Sequence, residues 1–172
     1  MESLGFVPQV LDIGGGFTVA NFDEASKAIG TALEHNVKKL YPDVRVIAEP
    51  GRYFAEDVAT FFTPIIGKRV RDSKREYWIA DGLYGSFNCM LYDKQTPKID
   101  ILSDASSPQK FPAKIFGQTC DSFDELKYDG DCELPELKVG DWLMFPSFGA
   151  YTIAGATDFN GINMTNPYIF YV

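Results

Sequence analysis

Three short stretches bring together residue types capable of chemistry. Gly14-Gly15-Gly16 lies between a β-branched run and a helical pattern, where bare backbone N–H groups and a helix start can approach a phosphate. Its spacing is neither GxGxxG nor GxxxxGK[ST], so it carries no Rossmann or P-loop signature, and a tight turn needing left-handed glycine explains it equally well. Glu49-Pro50-Gly51-Arg52 sets a carboxylate and a guanidinium at the end of a predicted strand. Barrel enzymes carry active-site groups in that position, although an ion pair closing a turn is the plainer alternative. Cys120-Asp121 couples a thiol to a carboxylate. A neighbouring negative charge disfavours a thiolate, which argues against a cysteine protease and for a neutral thiol able to give up a proton. On spacing alone, a structural cysteine is the simpler reading. The single histidine, His35, falls in a helical stretch and reads as solvated surface, so acid–base work must use Cys, Lys, Tyr, carboxylates or a cofactor.

The elements that would position these groups change character along the chain. Residues 10–13 read as a buried strand entering the glycine loop. After Asn21 or Asp23 as N-cap, apolar residues recur at Phe22, Ala25, Ile29, Ala32, Leu33, Val37 and Leu40, one face of a helix that Tyr41-Pro42 ends. Residues 44–48 form a second strand, and strand–helix–strand with this crossover is a parallel βαβ unit. Beyond a helical turn at 52–57 come short aromatic and β-branched runs at 60–70, 76–80, 86–92, 113–116, 142–145, 150–154 and 168–172. Asp81-Gly82, Asp129-Gly130, Gly140-Asp141 and Asn160-Gly161 punctuate them, the pattern of an antiparallel all-β domain. The division is therefore 1–57 for the α/β part and 58–172 for the β part. Residues 103–112 read as an exposed loop, and the basic stretch 68–75 as a short solvated one.

Composition narrows the function classes. The chain has 172 residues, 45% hydrophobic and 23% charged, with a formal charge of −8. These values exclude disorder and collagen, and the acidic balance opposes nucleic acid and anionic membranes. The apolar run at 61–67 is broken by Pro64, far short of the ~20 residues of a membrane span, and the first residues have no secretory pattern. Cys89, Cys120 and Cys132 are odd in number without CxxC spacing, so reduced thiols in the cytoplasm are expected and no metal site is indicated. A complete (β/α)₈ barrel takes ~250 residues and does not fit this length.

Taken in order, Leu11-Asp12-Ile13-Gly14-Gly15-Gly16-Phe17, Ala48-Glu49-Pro50-Gly51-Arg52-Tyr53, Asp81-Gly82-Leu83-Tyr84-Gly85-Ser86-Phe87-Asn88-Cys89, Leu91-Tyr92-Asp93, Gly117-Gln118-Thr119-Cys120-Asp121, Val139-Gly140-Asp141-Trp142 and Gly149-Ala150-Tyr151-Thr152 resemble the eukaryotic ornithine decarboxylases. That family belongs to the alanine-racemase-like, fold type III enzymes that use pyridoxal 5′-phosphate. Aspartate after Cys120 resembles the ornithine and arginine decarboxylases; diaminopimelate decarboxylases usually have Glu there. The resemblance implies the last βα units of a TIM barrel followed by a C-terminal β-domain. It implies that Gly14, Gly15, Gly16, Arg52 and Tyr151 hold the cofactor phosphate and that Glu49 pairs with the pyridine nitrogen. By the same likeness Asp93 and Asp121 hold the distal ammonium of ornithine, Cys120 protonates the α-carbon, and Tyr84 and Phe159 line the pocket. It further implies a homodimer with active sites shared across the interface, antizyme as a candidate partner, and putrescine as the product in polyamine biosynthesis.

The likeness also has departures. The family's Schiff-base lysine lies in a Lys-Cys-Asn context that no lysine here matches, and its ring-stacking histidine and phosphate-binding serine have no counterpart. The resemblance therefore implies a C-terminal portion that is inactive alone. Lys94 replaces the usual His and Gln118 the usual Pro. Two other readings compete: a non-catalytic regulator of the antizyme-inhibitor type, and a β-domain that merely dimerises. Retention of Gly14 to Gly16, Arg52, Cys120, Asp121 and Tyr151 favours descent from an active enzyme.

Overall fold

A computed structural model describes residues 5–102, 109–130 and 132–171. The chain forms two compact units, residues 1–56 and 57–172.

In the first unit, strand β1 (Val10–Asp12) pairs in parallel with β2 (Arg45–Ile47), Leu11 opposite Val46. Helix α1 (Phe22–Ala32) makes the crossover, as its 3.6-residue apolar spacing requires. The stripe at Ala25, Ile29, Leu33 and Val37 is half-buried while the polar face is solvated. The helix widens into a π turn at Leu33–Val37, where the Lys38 N–H reaches the Leu33 carbonyl at 2.9 Å. Asn21 occupies the N-cap position, but its side chain reaches back to the Thr18 N–H at 2.8 Å rather than forward into the helix. Helix α2 (Gly51–Ala55) follows β2 directly and runs into a single 3₁₀ turn at Glu56–Val58.

The second unit is built on one seven-stranded sheet ordered β5-β9-β3-β4-β6-β7, with β8 also on β6. The strands are β3 (Phe61–Arg71), β4 (Lys74–Ile79), β5 (Asp100–Ile101), β6 (Lys110–Phe116), β7 (Glu125–Leu126), β8 (Glu133–Pro135) and β9 (Trp142–Phe145). β3 and β4 form a hairpin closed by Asp72-Ser73, with Asp72 in the left-handed region at φ 55°. β3 also pairs antiparallel with β9, Phe61 opposite Phe145. The core gathers Ile65, Tyr77, Ile79, Phe87, Ile115, Leu137, Leu143 and Phe145, all essentially without solvent contact. The Tyr77 hydroxyl, carried into this core, donates to the Pro135 carbonyl and accepts from the Leu137 N–H, which removes the penalty of burying it.

Several sequence expectations change here. The sheet is mixed, because β4 and β6 are parallel, Tyr77 opposite Ile115. A parallel pair requires a long crossover between its strands, and turn dipeptides do not reveal one. Residues 86–92 are a 3₁₀ turn (Ser86–Asn88) and a helical turn, α3 (Cys89–Tyr92), rather than a strand. The run at 150–154 is a bend leading to a 3₁₀ turn at Ile153–Gly155. Residues 168–171 are outside any strand and Tyr168 is 94% exposed, since β-branched and aromatic content supplies no partner by itself. Of the loop expected at 103–112, residues 103–108 lie outside the described residues and Lys110 to Pro112 belong to β6. The basic stretch 68–75 is mostly strand, not loop: Lys68 and Arg75 share Glu136, and Arg69 meets Glu76. Among the described residues, no helix is long and apolar enough to cross a membrane.

Candidate functional site

The first unit brings Gly14 to Gly16, Glu49 and Arg52 to the C-terminal ends of its two strands. Gly14 and Gly16 adopt left-handed φ values of 69° and 86°, which glycine takes without steric penalty. Gly15 is glycine for another reason: a Cβ there would lie 2.6 Å from the Glu49 carbonyl oxygen. The two loops are stitched by the Glu49 N–H donating to the Gly14 carbonyl at 2.7 Å. The Gly14 amide itself donates to Asp12 Oδ1 at 2.8 Å, so this glycine shapes the turn more than it offers a donor. Asn21 donates to the Gly16 carbonyl at 3.0 Å and fixes where the loop enters α1. The Glu49 side chain is exposed, while Arg52 is buried and pairs with Glu56 at 3.1 Å one helical turn on. The ion pair that closes this region is thus Arg52–Glu56, which leaves Glu49 directed to solvent.

The second unit brings Tyr84, Cys120, Asp121 and Phe159 together. The Tyr84 hydroxyl donates a short hydrogen bond to Asp121 Oδ2, and its ring stacks on Phe159 with centroids 4.1 Å apart and planes at 16°. The Phe123 N–H donates to Asp121 Oδ1 at 2.9 Å. These two donors, Tyr84 first, hold the Asp121 carboxyl below its ordinary value and keep it anionic at neutral pH. Reciprocally, the Asp121 carboxylate pushes the Tyr84 hydroxyl up to about 12. The exposed Cys120 thiol accepts the Asn160 side-chain N–H at 3.4 Å. An anion beside a thiol is thus presented at the surface of the unit.

Residues the sequence did not single out hold this cluster in place. Asp124 is 1% exposed. Its Oδ1 accepts the Leu83 N–H at 2.7 Å, and its Oδ2 accepts the Thr119 hydroxyl at 2.7 Å and the Thr119 N–H at 3.2 Å. One carboxyl group therefore joins the loop before Tyr84 to the loop before Cys120. Gly82 and Gly117 have no room for a side chain because a Cβ would stand 2.3 and 2.2 Å from the Asp124 oxygens. Asp81 does the same within its own turn, accepting the Gly82 and Ser86 N–H groups at 2.6 and 2.8 Å. Burial raises its carboxyl above the ordinary value against the pull of those donors. The signal that could have exposed both residues was the glycines of Asp81-Gly82-Leu83-Tyr84-Gly85 and Gly117, each facing a carboxylate.

Asp93 and Tyr151 stand on other loops of the same unit. Asp93 caps α3, its N–H donating to the Cys89 carbonyl at 3.1 Å, and it follows Tyr92, whose hydroxyl acts electrostatically on Tyr84. Tyr151 has φ 57° and is 55% exposed, a strained backbone for an aromatic residue. The next residue anchors it. Thr152 is buried, donates to the Phe148 carbonyl at 3.2 Å, and accepts the Asn88 amide on its own carbonyl.

The pH dependence of the Tyr84–Asp121 contact follows from the two directions. Asp121, lowered from 3.8, contributes stability above that value and loses it as acid protonates the folded carboxyl. Tyr84, raised from 10.0, contributes fully below pH 10 and loses its contribution as pH rises through about 12. Burial also raises the hydroxyls of Tyr77 and Tyr128, so absorbance titration of tyrosinate should show, beside theirs, a late component near pH 12 that Tyr84→Phe or Asp121→Asn removes. An unchanged late component in both variants would refute the contact.

The sequence as a whole matches a known family. The profile of the pyridoxal-dependent decarboxylase C-terminal sheet domain covers residues 17–149, and the chain belongs to that family. Among individual proteins, it is 48% identical to the chloroplastic ornithine decarboxylase of Nicotiana glutinosa over 163 residues, 90% of this chain and 37% of that protein. Among solved structures, the arginine decarboxylase of Paramecium bursaria Chlorella virus superposes with a TM-score of 0.78 at 39% identity, over 94% of this chain and 43% of that one. The lysine/ornithine decarboxylase of Vibrio vulnificus, complexed with cadaverine, gives 0.76 at 33% identity, over 90% and 42%. The chain spans about two fifths of the length of these relatives.

Proposed function

We propose that this chain is the C-terminal part of a pyridoxal-phosphate-dependent decarboxylase that converts L-ornithine to putrescine. The observation that carries the reading is Asp121, held anionic by Tyr84 and Phe123 beside the Cys120 thiol. A carboxylate prepared in this way selects a distal ammonium, and a thiol next to it can deliver a proton. Likeness to an ornithine decarboxylase, and to an enzyme solved with a diamine, supports the substrate class.

The donor set fits the cofactor. A Cβ at Gly14 or Gly16 would meet nothing within 4 Å, so their surroundings are open to a phosphate, and Arg52 supplies a guanidinium in the same unit. The exposed Glu49 carboxylate suits a protonated pyridine nitrogen. When bound, pyridoxal phosphate supplies an electron sink for the pair left as CO₂ departs. Asp121 and Asp93 hold the substrate's far end, and Tyr84 and Phe159 wall it. Cys120 transfers its S–H proton to the α-carbon; the sulfur keeps the electron pair and regains a proton from water.

We further place the strand–helix–strand of the first unit at the end of a (β/α) barrel, which its parallel pairing supports. A homodimer with shared active sites, with antizyme as a partner, agrees with a cluster that stands at the surface of its unit, and an odd number of cysteines without CxxC spacing suits the cytoplasm. The test is complementation. Joined to the remaining portion of a full-length relative, the chain should release CO₂ from ornithine, and Asp121→Asn should raise KM by roughly 10-fold or more, as loss of a charge-assisted contact requires. Equal activity on an uncharged amino acid of the same length would overturn the substrate assignment.

A further inference from the structure

Two consecutive residues of one loop meet the Tyr84, Cys120 and Asp121 cluster at two points. Phe159 stacks on Tyr84, whose hydroxyl is bonded to Asp121, and Asn160 donates its amide N–H to the sulfur of Cys120 at 3.4 Å. The gripping loop is itself fixed. The Thr157 N–H donates to the Tyr84 carbonyl at 2.8 Å, and the Thr165 hydroxyl donates to Asp158 Oδ1 at 3.3 Å. Asn160 has φ 58° and ψ 20°, a left-handed conformation that asparagine tolerates better than most residues. With that backbone turn, Phe159 lies on the Tyr84 ring while Asn160 reaches Cys120.

We propose that Asn160 is a positioning residue for Cys120: its amide holds the sulfur and stabilises the negative charge left there when the thiol gives up its proton. The inference rests on the proton-donor role given to Cys120 above. A donor aimed at the sulfur before reaction requires no reorganisation as charge develops, the arrangement by which fixed dipoles assist charge-forming steps. It also occupies a lone pair of the sulfur, so the S–H bond points away from Asn160 toward the open side of the cluster. Asp121 is engaged by Tyr84 and Phe123, which leaves the Asn160 amide as the neutral donor at the sulfur.

The first test needs no cofactor. Alkylation of Cys120 by iodoacetamide in the full chain, at fixed pH and resolved from Cys89 and Cys132 by peptide mass mapping, reads the stability of the sulfur anion. Asn160→Gly removes the amide while keeping a residue suited to positive φ; Asn160→Asp replaces the donor with a like charge. Wild type should react fastest and Asn160→Gly more slowly. Asn160→Asp should be slowest, about fivefold below the glycine variant, as two unit charges ~4 Å apart in water imply. An aspartate variant no slower than the glycine variant, or an equal slowing at Cys132, overturns the proposal. In the complemented enzyme, Asn160→Asp should lower kcat while KM for ornithine stays within twofold; a rise in KM alone would likewise overturn it. If the complemented wild type releases no CO₂, the decarboxylase reading fails, while the alkylation series still decides the contact.

Discussion

Cys120→Ala is expected to lower turnover of the complemented enzyme by about 10²- to 10⁴-fold, the range that a positioned proton donor contributes. KM for ornithine should change little. The separation follows from the proposed roles: the charge assigned to substrate recognition belongs to Asp121, held by Tyr84 and Phe123 without help from the sulfur. Removing the thiol leaves that carboxylate in place and takes away only the group proposed to hand a proton to the α-carbon. A product assay sharpens the result. If the proton is delivered elsewhere or late, a share of turnovers should end in an aldehyde rather than in putrescine. Equal losses in binding and turnover would remove Cys120 from the donor role.

Asp124→Ala should be the most damaging single change outside the reactive groups. It strands the Leu83 N–H, the Thr119 N–H and the Thr119 hydroxyl in a buried setting, at roughly 1–3 kcal/mol for each unsatisfied group. A loss of about 3–9 kcal/mol is expected, a large fraction of the 5–15 kcal/mol available to a typical domain. Trp78 and Trp142 both lie within residues 57–172, so urea unfolding followed by tryptophan fluorescence reports this unit. A loss below about 1 kcal/mol would mean that the carboxyl is not the anchor described. Gly117→Ala approaches the same site from the other side, forcing a methyl group to within 2.2 Å of an Asp124 oxygen. It should destabilise the unit in the same assay. Either variant should also release Tyr84 from Cys120-Asp121, so residual folded protein should lose the Tyr84 component near pH 12.

What could be read from the sequence depended on the range of the interactions. The parallel strand–helix–strand was visible because its signal is local: a 3.6-residue apolar stripe between two β-branched runs, ended by Tyr41-Pro42. The β3–β4 and β9 runs were visible for the same reason. The parallel contact of β4 with β6 was not, because nothing in either strand's composition encodes which neighbour it takes across a long crossover. Residues 86–92 read as strand from their aromatic content, yet Asn88 and Ser86 serve a compact turn around Asp81 and Thr152. Basic residues 68–75 read as solvated, and their carboxylate partners Glu76 and Glu136 could not be inferred from spacing. In the site, the reactive groups were legible as motifs. Asp124 and Asn160 were not, since each acts on residues that only the fold brings near.

The position of β3 in the sheet has a consequence for how the chain acquires its fold. Its partner β4 follows after two residues, so that hairpin closes early, within microseconds as isolated hairpins do. Its other partner, β9, begins at Trp142, some seventy positions further on, and the entropy of closing so long a loop must be met before Phe61 meets Phe145. During synthesis on a ribosome, Ile65, Tyr77 and Ile79 would therefore emerge long before Leu143 and Phe145 can cover them. The interval between these events is when the nascent sheet has an open edge and is most in need of a chaperone.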